Sequence, residues 1–194
     1  MYNMFDMLLK TLHVDCLGKS IDDICSNGFT KVHARNHCAH FVSHVLGIRF
    51  GELCGNLPNE KNRGKGGITN GTGATIRCNE LYNGLTSRGK WENRPAFADG
   101  LLIFVTPAGN VRALLQDGTL GTMGTDERKH VGIYFSGRVY HYSNGGNRVI
   151  VDPTVERFHD KFKGQYGRKN NVSLFFAVVP YDVYEPHQDV HNIC

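Results

Sequence analysis

A chain of 194 residues with 40% hydrophobic residues can fill one core, and 21% charged residues without a low-complexity tract exclude a disordered polymer. The net charge of +4 suits a polyanionic surface but falls short of the basic balance of a dedicated nucleic-acid binder, so no nucleic-acid partner is expected. The longest apolar runs, 101–105 and 174–179, are strand-sized against the roughly 20 residues of a membrane span, so no membrane partner is expected either.

The first half reads mainly as helix. Phe5, Leu8, Leu9 and Leu12 follow the i, i+3, i+4, i+7 spacing of an amphipathic helix, and the opening segment lacks the basic leader of a signal peptide. The expectation is synthesis in the cytoplasm without a signal peptide, or a leader already trimmed. Ser20 with Asp23 three residues on reads as a capped helical turn stopped at Asn27-Gly28. Asn36 is a good N-cap for a second helix, in which Cys38, Phe41, Val42 and Val45 form the apolar face and Gly47 the stop. Residues 51–73 hold eight glycines or prolines and read as a surface loop. Residues 74–85 read as a helix with Ile76, Leu81 and Leu85 inward, closed at Ser87-Arg88-Gly89.

From Gly100 the period changes. LLIFV, HVGIYF, RVYHYS, RVIVD and SLFFAVVPY are short, β-branched and aromatic, and separated by turns such as Ser136-Gly137 and Asn144-Gly145-Gly146-Asn147. Helices first and strands second predict a single α+β domain over 1–194, its N-terminal helices packed on an antiparallel sheet.

Six cysteines show no CxxC spacing, which removes the usual zinc-ribbon and thioredoxin signatures. With Cys38 free, five remain, enough for at most two bridges. In the first helical turn a thiolate gains from unpaired N–H groups and the helix dipole, so Cys38 is the candidate nucleophile. Such a thiolate needs an imidazole partner; His130 opens a strand and is the candidate base. His141, one strand away across a tight hairpin, is the candidate third member, with Asp152 and Asn144 as alternates.

The segment Asn36-His37-Cys38-Ala39-His40-Phe41-Val42 and the strand His130-Val131-Gly132-Ile133-Tyr134 together resemble the NlpC/P60 and CHAP superfamily of papain-like peptidoglycan hydrolases. Ala98-Asp99-Gly100-Leu101-Leu102 is similar to the family's Gly-Asp-Leu strand with its first two residues inverted, and Ala39-His40 stands where Ser-Gly is usual. The resemblance covers about residues 30–150. It implies a papain-like fold and hydrolysis of an amide in the peptide stem or crosslink of peptidoglycan by Cys38, His130 and His141. Lacking a leader, the chain is also similar to amidase effectors of type VI secretion, which implies antibacterial action in a target cell's periplasm or wall and an immunity protein as partner. The 24 residues 106–129, longer than the link expected there, read as a substrate loop.

Rival readings are a papain-like deamidase or acyltransferase toxin acting on a protein or lipid, and a binding module in which Cys38 is simply buried. His40 and His44 have the i, i+4 spacing of a zinc pair with His37 nearby, but no Glu follows in the HExxH manner, so solvated or core histidines are the expectation, with no metal and no cofactor. Lys65-Gly66-Gly67 and Gly71-Thr72-Gly73 lack the rest of a phosphate loop and read as flexible chain. Asp152 before Pro153 reads first as a turn residue, and Tyr134, Tyr140 and Tyr142 as sheet packing.

Overall fold

The computed structural model describes residues 4–31, 36–56, 73–96, 100–112, 121–167 and 171–180. It is an α+β fold around a six-stranded, wholly antiparallel sheet ordered β1-β6-β2-β3-β4-β5. The strands are β1 (Arg88–Lys90), β2 (Leu101–Pro107), β3 (His130–Phe135), β4 (Arg138–Ser143), β5 (Arg148–Asp152) and β6 (Val172–Ala177). The helices are α1 (Met4–Lys10, extended by a π-helical turn Thr11–Cys16), α2 (Ile21–Ile24), α3 (Cys38–Leu46), α4 (Cys78–Gly84) and α5 (Val155–Tyr166). Among the described residues no helix is long and apolar enough to cross a membrane.

Both sheet faces are covered. On one, α3 packs against Val131 and Ile133 of β3 and Tyr140 and Tyr142 of β4, together with Leu102 and Phe104 of β2. On the other, Phe158 and Phe162 of α5 meet Leu101, Ile103, Val105 and Val139. Coverage on both sides is why Leu101–Val105 is an unbroken apolar run instead of an alternating one.

Local chemistry explains several boundaries. Ser20 and Asp23 form the expected capping box at α2, although the helix ends at Ile24, before Asn27-Gly28, where a 3-10 turn begins. Gly47 ends α3 in the left-handed region at φ 69°, as its position predicts. The β3–β4 hairpin turns through Ser136 and Gly137, both at positive φ (49° and 78°), the two-residue connection whose twist matches the strands.

Other expectations need correction. The helix expected over 74–85 is confined to Cys78–Gly84, because Thr75 bridges to Leu53 and Arg88-Gly89 opens edge strand β1 instead of closing a helix; Ile76, Leu81 and Leu85 are buried all the same. In the opening helix Leu8 and Leu12 are buried, whereas Leu9 is exposed. Of the expected 51–73 loop, Leu53 and Cys54 are buried in packed chain; 57–72, with both glycine-rich motifs' Lys65, Gly66, Gly67, Gly71 and Thr72, lie outside the described residues. Asp99 and residues 113–120 lie outside them too. Tyr134 stacks edge-on to Trp91, and Tyr142 accepts from the Ile21 N–H (2.9 Å), so both serve packing.

Candidate functional site

Cys38 is the first residue of α3 and is wholly buried. What sets that helix start is a set of amide side chains. The Cys38 N–H donates to Asn36 Oδ1 (3.0 Å), and Asn36 Nδ2 donates to the Lys129 carbonyl (3.2 Å), just ahead of β3. Asn144, in the β4–β5 turn, donates to Asn36 Oδ1 (2.8 Å) and accepts from the His37 N–H (3.0 Å). The start of α3 is thereby tied to the start of β3, where His130 stands.

This arrangement corrects two expectations. His37, not Asn36, immediately precedes the first helical residue, though the Asn36 side chain still performs the capping bond. The Cys38 N–H is engaged by the same side chain and is not a free donor for a developing oxyanion. Asn144 also leaves the list of residues that could orient His130, since both ends of its amide are spent on the α3 start.

Next to Cys38 a hydrogen-bonded chain runs from His130 across three strands. The thiol lies beside His130 and the Val131 N–H, both of which favour its thiolate. His130 Nε2 lies 2.9 Å from His141 Nδ1, and His141 Nε2 lies 2.9 Å from Asp152 Oδ2. Each step is eleven residues and one strand, because in register His141 faces Gly132 and Asp152 faces Val139, which makes His130–His141 and His141–Asp152 diagonal neighbours on one face. Gly132 makes the first diagonal fit: a Cβ there would lie 2.8 Å from Val139 Cγ1 and 3.1 Å from His141 Cβ.

The chain has a direction. Two groups meet His141 Nε2: the Asp152 carboxylate at 2.9 Å, which can only accept, and the Lys161 ammonium at 3.3 Å, which can only donate. The shorter contact places the proton on His141 Nε2, so that His141 Nδ1 accepts from His130 Nε2–H. That leaves His130 Nδ1 as the nitrogen free to take the Cys38 proton. Lys161 of α5 holds both Asp152 oxygens at 2.6 Å. Burial works to raise the Asp152 pKa, but the His141 and Lys161 hydrogen bonds outweigh it and the carboxyl stays below its ordinary value. His141 is pushed down to about 4, chiefly by burial, with the neighbouring His130 and Lys161 charges acting in the same sense against the Asp152 hydrogen bond. It is neutral at physiological pH, which suits a relay that must hand on a hydrogen bond instead of a charge. Phe162 and Phe158 lie against both imidazoles, with ring centroids 4.4 Å (Phe162–His130) and 5.2 Å (Phe158–His141) apart, and keep water from the relay.

At the other end, the Cys78 thiol sits 3.2 Å from Cys38 Sγ. Burial disfavours a Cys38 thiolate, but hydrogen bonding from Cys78, the His130 charge and the Val131 N–H outweigh it, so its pKa falls well below that of an ordinary thiol. Cys78 moves up, because it keeps its proton to donate and is itself buried. The arrangement is a buried thiol beside an imidazole, His130, whose hydrogen-bonded partner His141 is held in turn by Asp152.

The structure thus brings Cys38, His130 and His141 into contact. Asp152, weighed from the sequence as a direct alternate for His141, orients His141 instead of His130. Reading the sequence missed Cys78, Lys161 and the whole of α5; the available signal was Thr154 as N-cap, whose side chain accepts from the Arg157 N–H, with Phe158 and Phe162 at i, i+4. No family model, curated protein or solved structure matches this chain.

Proposed function

We propose that the protein is a papain-like cysteine amidase or endopeptidase. The observation that carries the reading is the helix-start thiol of Cys38 beside His130, with His130 hydrogen-bonded to His141 and His141 to Asp152. The Cys38 thiolate attacks an amide carbonyl carbon, and the tetrahedral intermediate collapses to a thioester as the His130 imidazolium protonates the leaving amine. His130, now neutral, takes a proton from water, whose oxygen attacks the thioester; carboxylic acid departs and the thiolate returns. His141 and Asp152 keep His130 in the tautomer with Nδ1 toward sulfur.

The choice of peptidoglycan stem or crosslink as substrate rests on the resemblance of the 36–42 and 130–134 segments to wall hydrolases, and the net charge of +4 is compatible with a polyanionic wall. Antibacterial delivery and an immunity partner belong to the same resemblance. Mass spectrometry of purified peptidoglycan digested with the wild type and with Cys38→Ala tests the assignment: new muropeptides from the wild type alone support it and identify the bond. Products from both proteins, or from neither, sink it, and a covalently altered protein or lipid in place of muropeptides would turn the reading toward a deamidase or acyltransferase.

The complete burial of Cys38 favours a second reading, a binding module in which the thiol is structural. Native-state alkylation separates the two. Iodoacetamide labelling of Cys38 ahead of Cys78 fits a nucleophile that substrate can reach; an inert Cys38 fits the module.

A further inference from the structure

A second cysteine–histidine cluster lies on the same helix as Cys38. Cys25 follows α2, His40 and His44 are one turn apart on α3, and Cys54 opens a 3-10 turn; their ligand atoms all lie within 4.8 Å of one another. Cys25, His40 and Cys54 are buried. We propose that these four residues form a structural zinc site.

The distances carry the assignment. Tetrahedral zinc with roughly 2.3 Å bonds to sulfur and roughly 2.05 Å bonds to nitrogen separates its ligands by about 3.8 Å (S to S), 3.3 Å (N to N) and 3.6 Å (S to N). Here Cys25 Sγ and Cys54 Sγ are 3.9 Å apart, His40 Nε2 and His44 Nε2 are 3.1 Å apart, and Cys54 Sγ is 3.7 Å from His44 Nε2. The sulfurs are too far apart for a bond and both cysteines are free thiols. A ring of two thiols and two imidazoles, three of the four buried, whose ligand atoms lie within 4.8 Å of one another has no better occupant than a dication, which two thiolates neutralise.

The surroundings fit a metal ligand set. The Ala74 N–H donates to Cys54 Sγ (3.2 Å) and the Asn27 N–H to Cys25 Sγ (3.4 Å), the bonds that stabilise thiolate charge. The far nitrogen of His40, Nδ1, lies 3.4 Å from His37 Nδ1, which orients the ring with Nε2 toward the site. Four protein ligands leave no open position, so the role is structural. The small apolar cluster here, Phe29, Ala74 and Ile76 beside the two cysteines, is separate from the main cores and is a natural place for a metal to stand in for buried area. Zinc would fasten the segment after α2 and the Cys54 turn to α3, the helix that presents Cys38.

The test uses the full chain, purified without chelator and dialysed into metal-free buffer. Elemental analysis should find about one zinc per chain, unchanged in Cys38→Ala and near zero in the Cys25→Ser/Cys54→Ser double variant. Because that variant could lose zinc by misfolding, wild type reloaded with cobalt supplies the second readout. A thiolate-to-cobalt charge-transfer band with intense tetrahedral d–d bands is expected, and both should be lost in His44→Ala. Wild type that holds no zinc and gives no such spectrum overturns the site, as would a Cys25–Cys54 disulfide in the peptide map of freshly purified protein.

Discussion

Helix α3 carries parts of two cysteine–histidine clusters built from the same residue types, and their connectivity separates them. At its start Cys38 enters a line: thiol, His130, His141, Asp152, with protons that can all point one way because a carboxylate that only accepts closes one end. Two residues on, His40 enters a ring with Cys25, His44 and Cys54, where every ligand atom is near every other. A line moves a proton; a ring shares a cation. Composition does not distinguish them, but which atoms meet does.

The largest expected effect is a double dissociation between the two. Cys38→Ala should reduce amide turnover to background, with zinc content unchanged and the melting temperature shifted by no more than about five degrees for the small cavity left. Cys54→Ser should empty the ring and lower the melting temperature by well over ten degrees, since structural zinc contributes on the order of 10 kcal/mol in small zinc domains. Steady-state kinetics and calorimetry on the two variants check it; a Cys54→Ser protein with wild-type stability would make the ring ornamental.

Next in size, Asp152→Asn tests the direction of the line. An amide in that place can present its Nδ2 to His141, reverse the tautomers and leave a proton on the His130 nitrogen that faces sulfur. A fall in kcat on the order of 10²–10⁴-fold, with KM little changed, is expected. A loss of twofold or less would mean that His141 orients His130 unaided.

How much of this the sequence made legible differs between the two clusters for a physical reason. Cys38, His130 and His141 could be proposed because a helix start, a strand start and a hairpin each leave local marks, and Gly47, Ser136 and Gly137 behave as their chemistry requires. The ring could not, because its ligands come from three separate elements at spacings 15, 4 and 10 with no repeated pair, and only the packing of α2 and the Cys54 turn against α3 assembles them. His40 and His44 were visible as an i, i+4 pair, but without Cys25 and Cys54 that spacing reads as ordinary helix. Strand β1 was hidden because Arg88-Gly89-Lys90 has no apolar alternation; Gly89 lies against the Phe176 ring, where a Cβ would come within 3.1 Å. Helix α5 was hidden by its polarity, its inward face resting mainly on Phe158 and Phe162.

Acid should separate the clusters more gently. His141 has a folded pKa of about 4 against an ordinary value of 6.5, burial being the main cause. Between those values the unfolded chain binds a proton that the folded chain refuses, so stability is full above pH 6.5 and falls as the pH drops toward 4, by on the order of 3 kcal/mol. In metal-free protein His40, pushed to about 4 mainly by burial, adds a contribution of the same sign. Urea unfolding at pH 7 and pH 5 should therefore show a smaller loss for His141→Gln than for the wild type. Equal losses would mean that His141 already takes up its proton in the folded state.

The smallest effect belongs to Asn36, which joins the line to the helix by accepting from the Cys38 N–H and donating to the Lys129 carbonyl. Asn36→Ala removes a capping bond at an exposed position and should cost about 1 kcal/mol. Asn36→Asp is the sharper variant. A carboxylate still accepts from Cys38 N–H and from Asn144 Nδ2, so stability should return most of the way, but a negative charge now stands beside the thiolate and opposes it. The acidic limb of the pH profile for kcat/KM should then move upward in Asn36→Asp while its stability resembles the wild type. If stability and profile instead change together in both variants, Asn36 acts on the helix alone and the charge at Cys38 is set elsewhere, by Cys78 and His130.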